Sequence, residues 1–158
     1  ASVIGWAKST DGYHVTSPHP EGIGAVFCMK RCLEKAGIQP EEVDYINTHG
    51  TSTPKGDIIE TTAIKTLFGD YAKKMAISST KGSTGHMMGA GGITETIACV
   101  KAIQEGIVPP TLNLTNPDPE CDLDYVPNQA RKQEVQIAMS NAFGFGGQNS
   151  SILLKKYL

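Results

Sequence analysis

Basic residues are not in excess in this sequence: fourteen Lys and Arg stand against sixteen Asp and Glu, for a formal net charge of −2. Without a basic arm or stripe, the electrostatic footprint that nucleic acid requires is missing. Apolar runs are short, well below the roughly 20 residues of a membrane-spanning helix. The chain does not open with the charged segment and apolar core of a secretory leader. Cysteine is sparse, and Cys28, Cys32, Cys99 and Cys121 form neither CxxC pairs nor a Cys/His zinc spacing. Reduced thiols and a cytoplasmic setting are therefore expected. No repeat, low-complexity run or interdomain linker divides the 158 residues, which amount to one domain able to bury a core. The sequence starts on the strand-like ASVIGWA with no initiator Met, and reads as a piece of a longer polypeptide.

What the chain does have is an alternation of strand and helix patterns. A strand over 2–8 gives way to a polar loop with Asp-Gly and two prolines, then to a helix from Pro20 or Glu21 to Ala36 that Gly37 stops. Pro40, Glu41 and Glu42 suit a short turn, and 43–48, VDYINT, a buried strand. Asp57 and Glu60 form a capping-box-like pair opening a helix to Phe68, which Gly69 ends. A strand over 75–79 and a helix over 87–104 follow. Residues 108–124, rich in Pro, Asn and Asp, read as an irregular excursion, with a short strand at 124–126. Strands at 135–141 and 149–155 flank the turn AFGFGGQN. This order predicts an α/β fold with a largely parallel sheet, whose ligands gather at the carboxyl ends of strands. The loops after Thr48 and Ser79 are the two that qualify.

The second of these loops, TKGSTGHMMGAGG at 80–92, combines Lys81, His86 and five glycines. It fails the phosphate-loop pattern, because Lys81 precedes Gly82. With the helix starting near Met87, His86 is expected at a helix N-terminus, where the dipole favours a neutral, hydrogen-bond-donating imidazole. A capping or packing histidine is the commoner use of such a position. The first loop, THGTST at 48–53, sets His49 beside the hydroxyls of Thr51, Ser52 and Thr53, and those hydroxyls equally suit local turn bonds. If the two strands are neighbours, His49 and His86 converge. Glu60 and Glu95 fall on packed helix faces, where a carboxylate needs a partner or a cation; the capping box and a salt bridge are the alternatives. Phe143 and Phe145 sit among glycines, where Phe145 is either a static core residue or free to swing. A metal site of His14, His19, His49 and His86 is a rival reading, weakened because His14 and His19 have no carboxylate at ligand spacing.

The stretches THGTSTPKGD, SSTKGSTGHMMGAGG, PPTLNL and NAFGFGGQN, in this order and spacing, resemble the β-ketoacyl-acyl carrier protein synthases, in particular the KAS II type. The resemblance covers nearly the whole chain, residues 1–158. It implies the C-terminal half of a thiolase-like fold, with a mixed, mostly parallel five-stranded sheet and helices on both faces. It also implies decarboxylative Claisen condensation of an acyl thioester with malonyl-acyl carrier protein in fatty acid elongation. On that resemblance His49 and His86 assist decarboxylation, Lys81 orders the charge around them, and Thr51, Thr53 and Thr16 hold the phosphopantetheine arm. Phe143 and Phe145 are substrate-contacting, with Phe145 as the gate. Asn47, Glu60, Glu95, Ser140 and Asn141 surround a structural Na+ or K+, and no other cofactor is required. The implied partners are the acyl carrier protein, the N-terminal half of the same enzyme, across an apolar face, and a second copy in a homodimer. The nucleophilic Cys of the family has no counterpart here, and Gly82-Ser83 stands where many relatives carry Ser-Met. A non-catalytic chain-length-factor-like subunit and a polyketide ketosynthase are the alternatives.

Overall fold

The computed structural model describes residues 1–157. Its strands and helices alternate as the sequence pattern requires. The order is β1 (Ser2–Thr10), α1 (Ile23–Ala36), β2 (Tyr45–Asn47), α2 (Gly56–Phe68), β3 (Ala76–Ser78), α3 (Lys81–Thr84), α4 (Gly91–Glu105), β4 (Ile107–Val108), β5 (Arg131–Lys132), β6 (Ile137–Gly144) and β7 (Gln148–Lys155). Five strands form one sheet in the order β1-β7-β6-β2-β3. β2 is parallel to both β3 and β6, while β7 is antiparallel to β6 and to β1. Four strands thus share one direction and only β7 opposes them, which gives the mixed, mostly parallel sheet that was expected.

Alternation along the strands assigns the two faces. Ile46, Ile77, Met139 and Leu153 pack with Met29 and Cys32 of α1 and Ile64 of α2. Tyr45, Ala76, Ala138 and Leu154 pack with Cys99, Ala102 and Ile103 of α4 on the other side. Each fully buried aliphatic side chain contributes about 1.5–3 kcal/mol relative to exposure. Helices therefore cover both faces, and the short crossovers leave the carboxyl ends of β2 and β3 side by side.

Several boundaries differ from the sequence pattern for local reasons. α1 starts at Ile23 because Gly22 adopts φ 61°, which delays the helix past Pro20 and Glu21; Gly37, at φ 65°, ends it as expected. The helix expected over 87–104 begins only at Gly91. Before it the chain makes the short α3, turns at Gly85 (φ 72°), and forms a 3-10 turn at Met88–Ala90 in which Met88 has φ 50°. Residues 124–126 are not a strand. They lie along the edge of β3, where the Ile77 N–H donates to the Asp124 carbonyl at 2.9 Å, and it is β4 and β5, on either side of the excursion, that pair. Asp57 and Glu60 do not cap α2, since the residue before the helix, Lys55, makes no side-chain cap. Both carboxylates turn to the preceding loop instead.

Among the described residues no helix is long and apolar enough to cross a membrane.

Candidate functional site

Parallel pairing of β2 with β3 delivers the loops after Thr48 and Ser79 to the same edge, and their imidazoles meet there. The His49 and His86 rings stand 5.6 Å apart between centroids at an interplanar angle of 83°, and the Phe143 ring lies 5.8 Å from that of His49. The His86 Nδ1 accepts a hydrogen bond from the Met88 N–H at 3.2 Å, which in the neutral ring leaves the proton on Nε2. Because α4 starts five residues beyond His86, the helix dipole expected to act on that ring is absent. The strongly depressed imidazole of the pair is His49, pushed down to about 3 by burial first, then by the Lys81 ammonium and by His86. His49 is therefore a neutral ring throughout the neutral pH range.

Three carboxylates hold this arrangement. Glu60, 3% exposed, accepts from the His49 and Gly50 N–H groups at 3.0 Å each, and from Asn141 Nδ2 at 3.3 Å. Burial outweighs these bonds and pushes its carboxyl up to about 7. Asp57 likewise accepts from the Ser52 N–H at 3.1 Å. Glu95 finds its partner in Lys81. The two side chains form a salt bridge, 8% and 3% exposed, with the Glu95 carboxyl raised by burial against the pull of the ammonium.

A groove of about 590 Å³ opens beside His86. Thr51, Thr53, Thr61, Lys81, Cys121 and Tyr125 are among the residues that line it. The Thr51 and Thr53 hydroxyls are 3.3 Å apart. Thr61, Cys121 and Tyr125 carried no local sequence signal, because only the fold of the excursion brings 111–125 against α2.

The remaining candidates divide. Thr16 is exposed and lines no part of the groove; its loop instead touches the turn that carries Phe145, through a bond from the Gly146 N–H to the Val15 carbonyl at 2.6 Å. Phe145 is 78% exposed between glycines, so it is not a core residue. The five residues expected around one cation separate onto two faces of the sheet. Asn47 and Ser140 are register partners on the α4 face, with Glu95. Glu60 and Asn141 bond each other on the opposite face, where Asn141 also accepts from Ser151 at 2.8 Å. Asn47 Oδ1 is buried with no hydrogen-bond partner, a lone pair that suits a small cation or a water.

Burial raises the thiols of all four cysteines, Cys32 to about 12. None has the depressed pKa of a reactive thiolate. Among the described residues no group of three or more His, Cys, Asp and Glu could hold a metal ion. His14 and His19 each accept local backbone N–H bonds within the loop before α1, which removes the four-histidine reading.

A mixed sheet in this order, with paired imidazoles over the ends of adjacent parallel strands, is a thiolase-like architecture. Solved structures agree: a ketosynthase of a type II polyketide synthase, in complex with its acyl-carrier protein and bound to the hexaketide, superposes with a TM-score of 0.96 at 36% identity over 99% of this chain and 38% of its own. A beta-ketoacyl synthase from Burkholderia phymatum gives 0.91 at 36% identity, over 99% of this chain and 37% of its own. Residues 1–115 match the model of the beta-ketoacyl synthase C-terminal domain. Named 3-oxoacyl-[acyl-carrier-protein] synthase 2, the relative from Coxiella burnetii is 55% identical over 156 residues, and that from Synechocystis sp. 53% over 155. The chain belongs to the beta-ketoacyl synthase family. It accounts for 99% and 98% of itself in those two alignments but only 38% and 37% of the relatives' length.

Proposed function

We propose that this chain is the C-terminal half, 1–158, of a 3-oxoacyl-acyl carrier protein synthase, and that it supplies the electrophilic, pantetheine-binding side of a decarboxylative condensation site. The observation that carries this is the neutral His49 ring facing His86 at 5.6 Å beside a groove. As the malonyl thioester loses carbon dioxide, the electron pair of the breaking C–C bond moves into an enolate and negative charge grows on the thioester oxygen. Two imidazole N–H groups aimed at that oxygen, from Nε2 in His86, stabilise the developing charge more than the starting thioester, which lowers the barrier. The enolate carbon then attacks an acyl thioester on a cysteine outside this chain, and the thiolate leaves.

Thr51 and Thr53 hold the pantetheine arm in the groove, and Phe145 swings at the acyl entrance on its flanking glycines. Lys81, held in place by its ion pair with Glu95, keeps its ammonium charge near His49 and so favours the uncharged ring. Asn47, Ser140 and Glu95, on one face of the sheet, are the residues that would hold a structural Na+ or K+, with Asn47 Oδ1 as the unpartnered ligand atom; Glu60 and Asn141 lie on the other face. Ile93 and Ile97, 60% and 55% exposed one turn apart on α4, belong to the apolar face that meets the N-terminal half. The acyl carrier protein, a homodimeric assembly and a cytoplasmic setting complete the reading. Elongation of fatty acids is favoured over polyketide synthesis by 55% identity to a relative named 3-oxoacyl-[acyl-carrier-protein] synthase 2, against 36% to the polyketide ketosynthase.

Intact mass after incubation with an acyl thioester tests the division of labour. The chain alone is expected to gain no adduct at Cys28, Cys32, Cys99 or Cys121. With the N-terminal half of a related synthase added, the acyl group should appear on that half, and malonyl thioester should then yield condensation product. Acylation of a cysteine in the isolated chain would overturn the reading.

A further inference from the structure

The His49 ring makes no hydrogen bond among the described residues; the rings beside it are those of His86 and Phe143. Its place is therefore inherited from the backbone of its loop. Glu60 fixes the donors of that backbone, the N–H groups of His49 and Gly50. Something must fix an acceptor as well, or the loop can pivot about the carboxylate.

Ser79 does this. Its hydroxyl donates to the Gly50 carbonyl at 2.7 Å and accepts from the Lys81 N–H at 3.4 Å, so one oxygen touches both loops. Among the described residues no other side-chain hydrogen bond joins 49–53 to 79–90. The approach is close enough that a Cβ on Gly50 would fall 2.7 Å from that of Ser79, and Gly50 has φ 35°, so glycine is required there. Ser79 is 8% exposed and is itself held: its N–H donates to Thr111 Oγ1 at 3.1 Å, and the Thr111 hydroxyl donates to the Tyr125 carbonyl at 2.7 Å. The clasp thus runs from the His49 loop, through Ser79, to the excursion that walls the groove.

We propose that Ser79 is a positioning residue for the His49–His86 pair, with Thr111 as its support, so that the spacing of the two imidazoles is set by a hydroxyl that touches neither ring. The proposal rests on the functional reading above. Its consequence for the reaction follows from the steepness of orientation: a misplacement of about 1 Å costs on the order of 100-fold in rate.

The test uses the complete synthase carrying this chain. Ser79→Ala is expected to lower kcat for malonyl thioester decarboxylation by roughly 10- to 100-fold, with a smaller rise in KM, since Ser79 lines the groove and its loss also loosens Thr51 and Thr53. Thr111→Val, which keeps the shape and removes the hydroxyl, should give a smaller loss in the same direction, and Thr111→Ser should restore the rate. The double variant Ser79→Ala/Thr111→Val should lose less than the product of the two. Amide hydrogen exchange reads the clasp without any activity: 49–53 should exchange about tenfold faster in Ser79→Ala while α4 is unchanged. Unchanged exchange in that loop, or a rate loss that Thr111→Ser shares with Thr111→Val, would overturn the clasp. If the unsubstituted synthase releases no carbon dioxide while Ser79→Ala still speeds exchange, the functional reading falls and the clasp stands.

Discussion

Replacing Lys81 by Met should be among the most destabilising single changes in this chain. Lys81 and Glu95 are both withdrawn from water, 8% and 3% exposed, and they form a direct salt bridge. Removing one member of such a pair strands the other as an uncompensated buried charge, at a cost of about 3–5 kcal/mol. Burial already raises the Glu95 carboxyl, and the ammonium is what opposes that rise. Without Lys81 the carboxyl moves further up, because the pull that opposes burial is gone. Chemical denaturation is the check. The expected result is a lower midpoint with an unchanged slope, and recovery of most of the loss when Glu95→Gln is added to Lys81→Met. Activity should not recover in the double variant, since the potential acting on His49 is still missing. A single variant as stable as the parent would show that the pair is solvated.

Loss of either imidazole should have the largest effect on chemistry. His49→Ala and His86→Ala are each expected to slow carbon dioxide release from malonyl thioester by roughly 100- to 1000-fold in the complete synthase, the scale on which a single oxyanion donor is lost. KM should change little, because the bonds in question are made as the enolate forms and not in the bound substrate. The double variant should be only modestly slower than either single one, since one remaining donor cannot hold the oxygen where the pair would place it. Release of carbon dioxide at the parent rate in both single variants would favour the non-catalytic, chain-length-factor-like subunit.

The α/β alternation was legible in the sequence because apolar periodicity carries it locally, and the meeting of His49 with His86 was legible on the condition that their strands are neighbours; the strand order that meets this condition came only with the structure. The partner of Glu95 was legible only as a need: a carboxylate on a small-residue face demands a cation, yet nothing in the pattern points to Lys81, fourteen positions earlier. Glu60 was ambiguous for the opposite reason. It sits three residues after Asp57, as a capping pair does, but tertiary packing turns it to the His49 and Gly50 N–H groups. The start of α4 was misread because 87–90 continues a helical pattern, whereas Met88, and Gly85 just before this stretch, have positive φ. That shift moves the electrostatic argument from His86 to His49, whose neutrality comes from burial and Lys81. Ser79 and Thr111 carried no signal of their own, since a serine ending a strand has no local pattern that separates a clasp from a turn.

The central claim is that His49 stands as an uncharged donor in a desolvated site. Heteronuclear NMR of the imidazole nitrogens as a function of pH measures it directly. A solvated histidine gains its proton near 6.5, whereas His49 is expected to titrate at about 3. Between those two values the unfolded chain takes up a proton at His49 that the folded chain refuses, so acidification through that window should also cost stability. A His49 resonance that stays neutral from about pH 8 down to about pH 4 is the expected result. An imidazolium already half-formed near pH 6.5 would contradict the account, because a charged His49 beside the Lys81 ammonium cannot be the neutral donor on which the proposed reaction depends.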